Sequence, residues 1–230
     1  MEPLSPLVYS VPRYFLGKAN IDQKVVDAAI HSLEKEMSIY YSSHIENKSK
    51  FVYQHRGTFL IPSYLSEMEI DRDNRFYADR LYKIKTLDPL NSFENLLISL
   101  SQRISSLGFP SDRIEVRFEK GCFYSLANFW HKDFAMHEEH NFFSICYSNV
   151  ENWSTKILDV TAVKAIGKIP FVIEKETLEK IESLATNSEL GVFYDVKQVY
   201  HRAPVSTDFD SHVSNHHYRL FIRFNNTYRT

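Results

Sequence analysis

From Arg113 to Phe224 the chain is a succession of short β-prone runs separated by turn signals, and no other feature restricts its fold as much. Ile114 to Phe118 alternates, and Glu119-Lys120-Gly121 reads as a turn. Cys122 to Trp130 is rich in aromatics, and Asn141 to Ser148 reads as a strand. Thr155 to Val160 and Ile169 to Ile173 are further strand candidates. A short charged helix, Glu174 to Ala185, interrupts them with Leu178, Ile181 and Leu184. Gly191 to Tyr194, Gln198 to His201 and Tyr218 to Phe224 close the series. So many short strands predict a sandwich or barrel.

The first half has a different character. From Asp22 to Met37, the apolar residues Val25, Val26, Ala29, Ile30, Leu33 and Met37 recur at helical spacing. Asn91 to Leu107 is the clearest helix, with Phe93, Leu96, Leu97, Leu100, Ile104 and Leu107 on one stripe. Ser92 is the expected N-cap, and Gly108 with Pro110 ends the helix. Such a stripe packs on a sheet. Residues 1–20, with Pro3, Pro6 and Pro12, read as an extended lead-in, and Phe51-Val52-Tyr53 and Thr58 to Ile61 as short strands. The charge run Asp71 to Arg80 reads as a solvated loop or helix face. The expected organisation is a single domain over 1–230. Residues 1–110 form a mixed helical buttress, and 111–230 form a mainly β core with flanking α-helices.

Composition narrows the partners. The net charge is -2 and the pI about 6.6, so no basic excess exists to drive binding to nucleic acid. Cys122 and Cys146 alone build no disulfide framework, which suits a reducing cytoplasm. Met1 to Pro6 lacks a secretory signal, and no run is apolar for long enough to span a bilayer. A cytoplasmic protein of unassigned oligomeric state is expected.

Three stretches carry chemistry. In Phe129-Trp130-His131-Lys132-Asp133, the residues at i and i+2 share a face of a strand, so His131 and Asp133 can converge on one ion. His201 follows 70 positions later, at the end of another strand candidate. Two histidines and one carboxylate suit non-haem Fe(II), with positions left open for a co-substrate and oxygen. In Tyr218 to Phe224, alternation puts Arg219, Phe221 and Arg223 on one face, with Leu220, Ile222 and Phe224 on the other. Two inward arginines are costly unless an anion meets them, and a guanidinium suits a carboxylate.

The ordered set His131-x-Asp133, His201, then Arg219 or Arg223 resembles the Fe(II)- and 2-oxoglutarate-dependent dioxygenases. The lead-in Arg117 to Gly121 and the stretch from Gly191 through Asp195 to Pro204 are similar to that family's surroundings of the two histidine motifs. The similarity covers Ile114 to Phe224. The resemblance implies a double-stranded β-helix (jelly-roll, cupin-like) core. It also implies Fe(II) on His131, Asp133 and His201, and an arginine on the far carboxylate of the co-substrate 2-oxoglutarate. Arg219 is the first choice for that arginine and Arg223 the second. Family halogenases lack the carboxylate, so Asp133 implies hydroxylation. A small molecule is the expected substrate, such as an amino acid or natural-product precursor, with a protein side chain as the alternative.

Other residues offer rival or auxiliary roles. His137, Glu139 and His140 read as a polar loop that can contact substrate, and Trp153 as a lid or a packing residue. His212, His216 and His217 are weaker candidates for the distal ligand. Two other classes stay open: a cupin-like metal enzyme without 2-oxoglutarate, and a non-enzymatic β-sandwich interaction module. No Gly-rich phosphate loop and no Gly-x-Ser-x-Gly elbow is present.

Overall fold

The computed structural model describes residues 15–44, 51–54, 57–60, 76–120, 129–133, 139–150, 153–158, 160–167, 174–204 and 217–227. His137, Cys122, His212, His216 and the strand expected at Ile169 to Ile173 lie outside these residues. Among the described residues the strands form two antiparallel sheets.

The first half supplies β1 (Phe15–Lys18), α1 (Gln23–His44), β2 (Phe51–Gln54), β3 (Gly57–Leu60), β4 (Phe76–Lys83) and α2 (Ser92–Ser106). The second half supplies β5 (Arg113–Lys120), β6 (Glu139–Ser148), β7 (Lys156–Leu158), α3 (Val160–Ile166) and α4 (Lys175–Leu184). It ends with β8 (Thr186–Asn187), β9 (Val192–Asp195), β10 (Tyr200–Arg202) and β11 (Tyr218–Thr227). The large sheet runs β1-β9-β6-β11-β5-β4-β3-β2, and the small one β10-β7-β8. Strands from both halves of the chain therefore share one sheet.

The large sheet has two unlike faces, and the period of two in its strands creates them. Leu220, Ile222 and Phe224 of β11 line up with Ile114, Val116 and Phe118 of β5 and with Phe143, Ile145 and Tyr147 of β6. This face is buried under Val26, Ala29, Ile30 and Leu33 of α1 and Leu96, Leu97, Leu100 and Ile104 of α2. The opposite face carries Arg219, Phe221 and Arg223 of β11 against Glu119, Arg117 and Glu115 of β5. Ser148, Cys146 and Ser144 of β6 flank them. Over this polar face lies the small sheet, joined to it by Ile157, Tyr194, Val196, Val199 and Phe221.

Helix α2 holds the apolar face in place. Its N-cap is Asn91, whose Oδ1 accepts from the amides of Phe93 (2.9 Å) and Glu94 (3.0 Å). The expected cap, Ser92, is instead the first helical residue. Gly108 (φ 95°) ends the helix, with Phe109 N–H on the Ile104 carbonyl and Gly108 N–H on that of Ser105. That reciprocal pair satisfies the last carbonyls, and the left-handed turn suits a residue without Cβ. Leu97 is fully buried, so Leu97→Ala should lower unfolding free energy by about 2–5 kcal/mol. Urea denaturation measures it.

Several boundaries differ from the sequence expectation. The charge run ends in a strand: Phe76 to Lys83 pairs with β5 along its whole length, from Phe76↔Lys120 to Lys83↔Arg113. Its charges hid the alternation, and the pairing partners come from 30 to 44 residues downstream. Glu119 and Lys120 continue β5 rather than turning, because β11 and β4 both pair with them. Glu139 and His140 open β6 rather than belonging to a polar loop. The expected strand at Thr155 to Val160 stops at Leu158, and Val160 starts α3. β10 begins at Tyr200, after a turn in which Asp195 Oδ1 accepts from Lys197 N–H (2.9 Å).

Candidate metal centre

His131 and His201 meet through their main chains. His131 N–H donates to the His201 carbonyl (3.0 Å), and His201 N–H donates back to that of His131 (2.8 Å). This antiparallel bridge extends the small sheet by one residue beyond β10. Residues paired directly across a ladder put their side chains on the same side. The two imidazoles accordingly face each other, with ring centroids 4.4 Å apart. Asp133 is two residues on and is fixed by its own N–H to the Val196 carbonyl (3.1 Å). Its Oδ1 lies 3.6 Å from His131 Nε2 and 3.8 Å from His201 Nε2.

Both imidazoles are oriented for ligation. A carbonyl can only accept, so His131 donates Nδ1–H to Phe129 (2.8 Å) and His201 donates Nδ1–H to Val199 (3.2 Å). That fixes the tautomer and leaves each Nε2 lone pair aimed at Asp133. One ligand atom from each of the three residues lies within 4.8 Å of the others. The separations of 3.6 and 3.8 Å from Asp133 Oδ1 to the two nitrogens are ones that a single ion at about 2.1 Å from each donor bridges, and the donor set suits Fe(II). The rim is graded: the His201 side chain is buried, whereas that of His131 is 20% exposed.

The second oxygen of Asp133 is occupied. Arg223 Nη1–H donates to Oδ2 at 2.7 Å, and Arg223 Nε–H donates to Glu115 at 3.0 Å, with Nη2 on the same Glu115 oxygen. Glu115 thus aims the guanidinium that aims the Asp133 carboxylate. Burial alone would raise the Asp133 pKa. The His131 imidazole beside Oδ1, the Arg223 guanidinium on Oδ2 and the nearby His201 outweigh it and hold the carboxyl well below its usual range.

His201 moves the other way. Burial, opposed by the charge of Asp133, pulls its pKa down to about 4, so the imidazole is neutral and competent to bind a metal at pH 7. The unfolded chain binds this proton near its ordinary value of about 6.5, so between that pH and about 4 it carries more protons than the folded one. Stability therefore falls as pH drops through that window. Metal-free protein should be about 2 kcal/mol less stable at pH 5 than at pH 7 from this residue. Urea titrations in chelator at both pH values measure the difference.

Arg219 lies on the same face but is engaged elsewhere. It is buried, with Nη1–H on Glu119 (3.1 Å) and Nη2–H on Thr155 Oγ1 (3.0 Å), and its Nε–H has no partner among the described residues. Glu119 is equally buried. Tyr194 stands close enough to feel Thr155 and Arg219, and burial pushes its hydroxyl well above the ordinary range, keeping it a donor. The anions that the two arginines require are thus Glu119, Glu115 and Asp133 of the chain itself. The sequence signal for the two glutamates was the charged parity of β5, Glu115-x-Arg117-x-Glu119.

Of the remaining candidates, His137, His212 and His216 and the side chains of Glu139 and His140 lie outside the described residues. Trp153 is fully buried. His217 stands just before β11. The exposed ring of Phe129 lies against His131, with centroids 4.9 Å apart.

No family model matches the chain, and no curated protein matches it. Among solved structures, the crystal structure of AviO1 from Streptomyces viridochromogenes Tue57 aligns over 92% of this chain and 88% of its own, with TM-score 0.46 and 11% identity. At that score and identity the likeness carries no argument, and the centre stands on its own geometry. No helix of the described residues is long and apolar enough to cross a membrane.

Proposed function

We propose that the chain is an Fe(II)- and 2-oxoglutarate-dependent dioxygenase that hydroxylates a small molecule. The convergence of His131 Nε2, His201 Nε2 and Asp133 Oδ1, each oriented by a bond from its other polar atom, carries this reading. The chain path supports a double-stranded β-helix. After β5 it passes to the His131 segment, back to β6, over to β7 and β8, back to β9, over to β10, and back to β11. The inner order is β9-β6-β11-β5 in one sheet and His131-β10-β7-β8 in the other.

Bound iron with 2-oxoglutarate would supply oxygen activation, and the protein would supply position and environment. His131, Asp133 and His201 would hold the metal, a three-residue set that suits Fe(II) with room for a co-substrate. Arg223 keeps Asp133 ionised and single-faced. Arg219 Nε, with the Tyr194 hydroxyl near it, offers donors to the far carboxylate of the co-substrate. Ile157, Val196, Val199 and Phe221 wall the interior and keep water out.

A second reading has its own support: both arginines already have carboxylate partners, as a cupin-like metal enzyme without 2-oxoglutarate would require. Anaerobic protein mixed with Fe(II) and 2-oxoglutarate decides between the two. The first reading requires a metal-to-ligand charge-transfer band, absent in His131→Ala and weakened in Arg219→Ala. Metal binding without the band favours the second, and no metal binding removes both.

A further inference from the structure

Behind the two histidines, on the other side of their strands, stands a second cluster. The bridge pairs His131 with His201, so Trp130 and Arg202 are neighbours across the same antiparallel ladder. Alternation turns both away from the triad and toward α4. There one side chain meets both. Glu182 Oε1 accepts from Trp130 Nε1–H (2.9 Å) and from Arg202 Nε–H (2.9 Å), while Oε2 accepts from Arg202 Nη2–H (2.6 Å). The Arg202 guanidinium also lies 5.4 Å from the Trp130 ring centroid.

The cluster sits against the core, with the Glu182 side chain at its exposed edge. The Arg202 side chain is 4% exposed and Trp130 is buried, and Ile181, next to Glu182, packs with Trp130, Leu158 and Ala162. A two-pronged guanidinium–carboxylate pair fixes angle as well as distance. One carboxylate against one guanidinium adds no net charge behind the triad.

We propose that Glu182 is a positioning residue for the metal centre: from helix α4 it clamps the two histidine-bearing segments into one unit. This rests on the reading of His131, Asp133 and His201 as metal ligands. Trp130 precedes one ligand and Arg202 follows the other, so a change at Glu182 loosens both segments together. It touches neither the ion nor a ligand, so its influence passes through the main chain. Helix α4 enters between β7 and β8 and so takes part in the site from outside the barrel.

The test uses the full chain with Glu182→Ala, Glu182→Gln and, as a control on the same helix, Glu179→Ala. Glu179 is exposed and pairs with Lys175 at 3.8 Å. In metal-free protein, amide hydrogen exchange of peptides spanning 129–133 and 200–202 should speed up in both segments with Glu182→Ala. The effect should be smaller with Glu182→Gln, which keeps an accepting oxygen, and absent with Glu179→Ala. The Co(II) dissociation constant should rise about ten-fold or more in Glu182→Ala, with altered d–d absorption bands, a change that lost stability alone does not produce. Unchanged exchange in either segment, or wild-type Co(II) affinity and spectrum, overturns the clamp. A wild-type protein that binds no Co(II) while both segments still loosen together instead overturns the reading of the triad as a metal site. Should Glu182→Ala fail to fold, Glu182→Gln decides by the same two measurements.

Discussion

Asp133→Ala is expected to weaken anaerobic Fe(II) binding by more than about a hundred-fold, beyond what loss of an outer partner costs. Asp133 is the carboxylate of the set, and Arg223 holds its Oδ2 so that Oδ1 faces both imidazoles. Asp133→Asn should do nearly as much damage, for a separate reason. An amide has one accepting oxygen, and the Arg223 N–H demands it. The NH₂ group then turns toward the two Nε2 atoms, where a metal needs a lone pair. Arg223→Ala should leave binding measurable but weaker, by about 10–100-fold, because the carboxylate is freed to rotate rather than removed. Isothermal titration under nitrogen ranks the three. An Asn variant that binds as tightly as wild type would remove Arg223 from its orienting role.

The second large effect concerns stability. Glu119→Ala should cost about 3–5 kcal/mol, since it leaves the Arg219 guanidinium charged, buried and short of an acceptor. The double replacement Glu119→Leu with Arg219→Met should cost much less, because the uncompensated charge goes with its partner. Urea midpoints of the two variants test that order. The same pair also reports on the co-substrate. If the far carboxylate of 2-oxoglutarate sits on Arg219, it supplies the anion that Glu119→Ala lacks. Added 2-oxoglutarate should then raise the melting temperature of that variant more than that of wild type. Equal shifts would place the co-substrate elsewhere or leave the protein without one.

The legibility of the chain follows the range of the forces involved. Local periodicity located α2 and β11, because a stripe at 3.6 or 2 residues is written in adjacent positions. The triad was legible as residue types in order, His131-x-Asp133 and His201, and the fold brings those three side chains together. Non-local partners were not legible. Nothing near Arg219 announces that Glu119, 100 positions earlier, will neutralise it, although the alternating charges of β5 carried the hint. Glu182 sat in an ordinary charged helix, and only the ladder beneath it makes it a shared acceptor. Phe76 to Lys83 became a strand because β5 offers it a full row of backbone partners, which outweighs a charge run suited to solvent.

β11 also guards against misfolding. Its neighbours on both sides, β5 and β6, read the same odd–even code. A slip of one residue would drive Arg219 and Arg223 under the helices and turn Leu220, Ile222 and Phe224 toward Glu115 and Glu119. Each misplaced guanidinium would forfeit its carboxylate in an apolar layer. The strand that carries the arginines thus acts as a proofreading key: only the alignment that assembles the centre is one the core will tolerate.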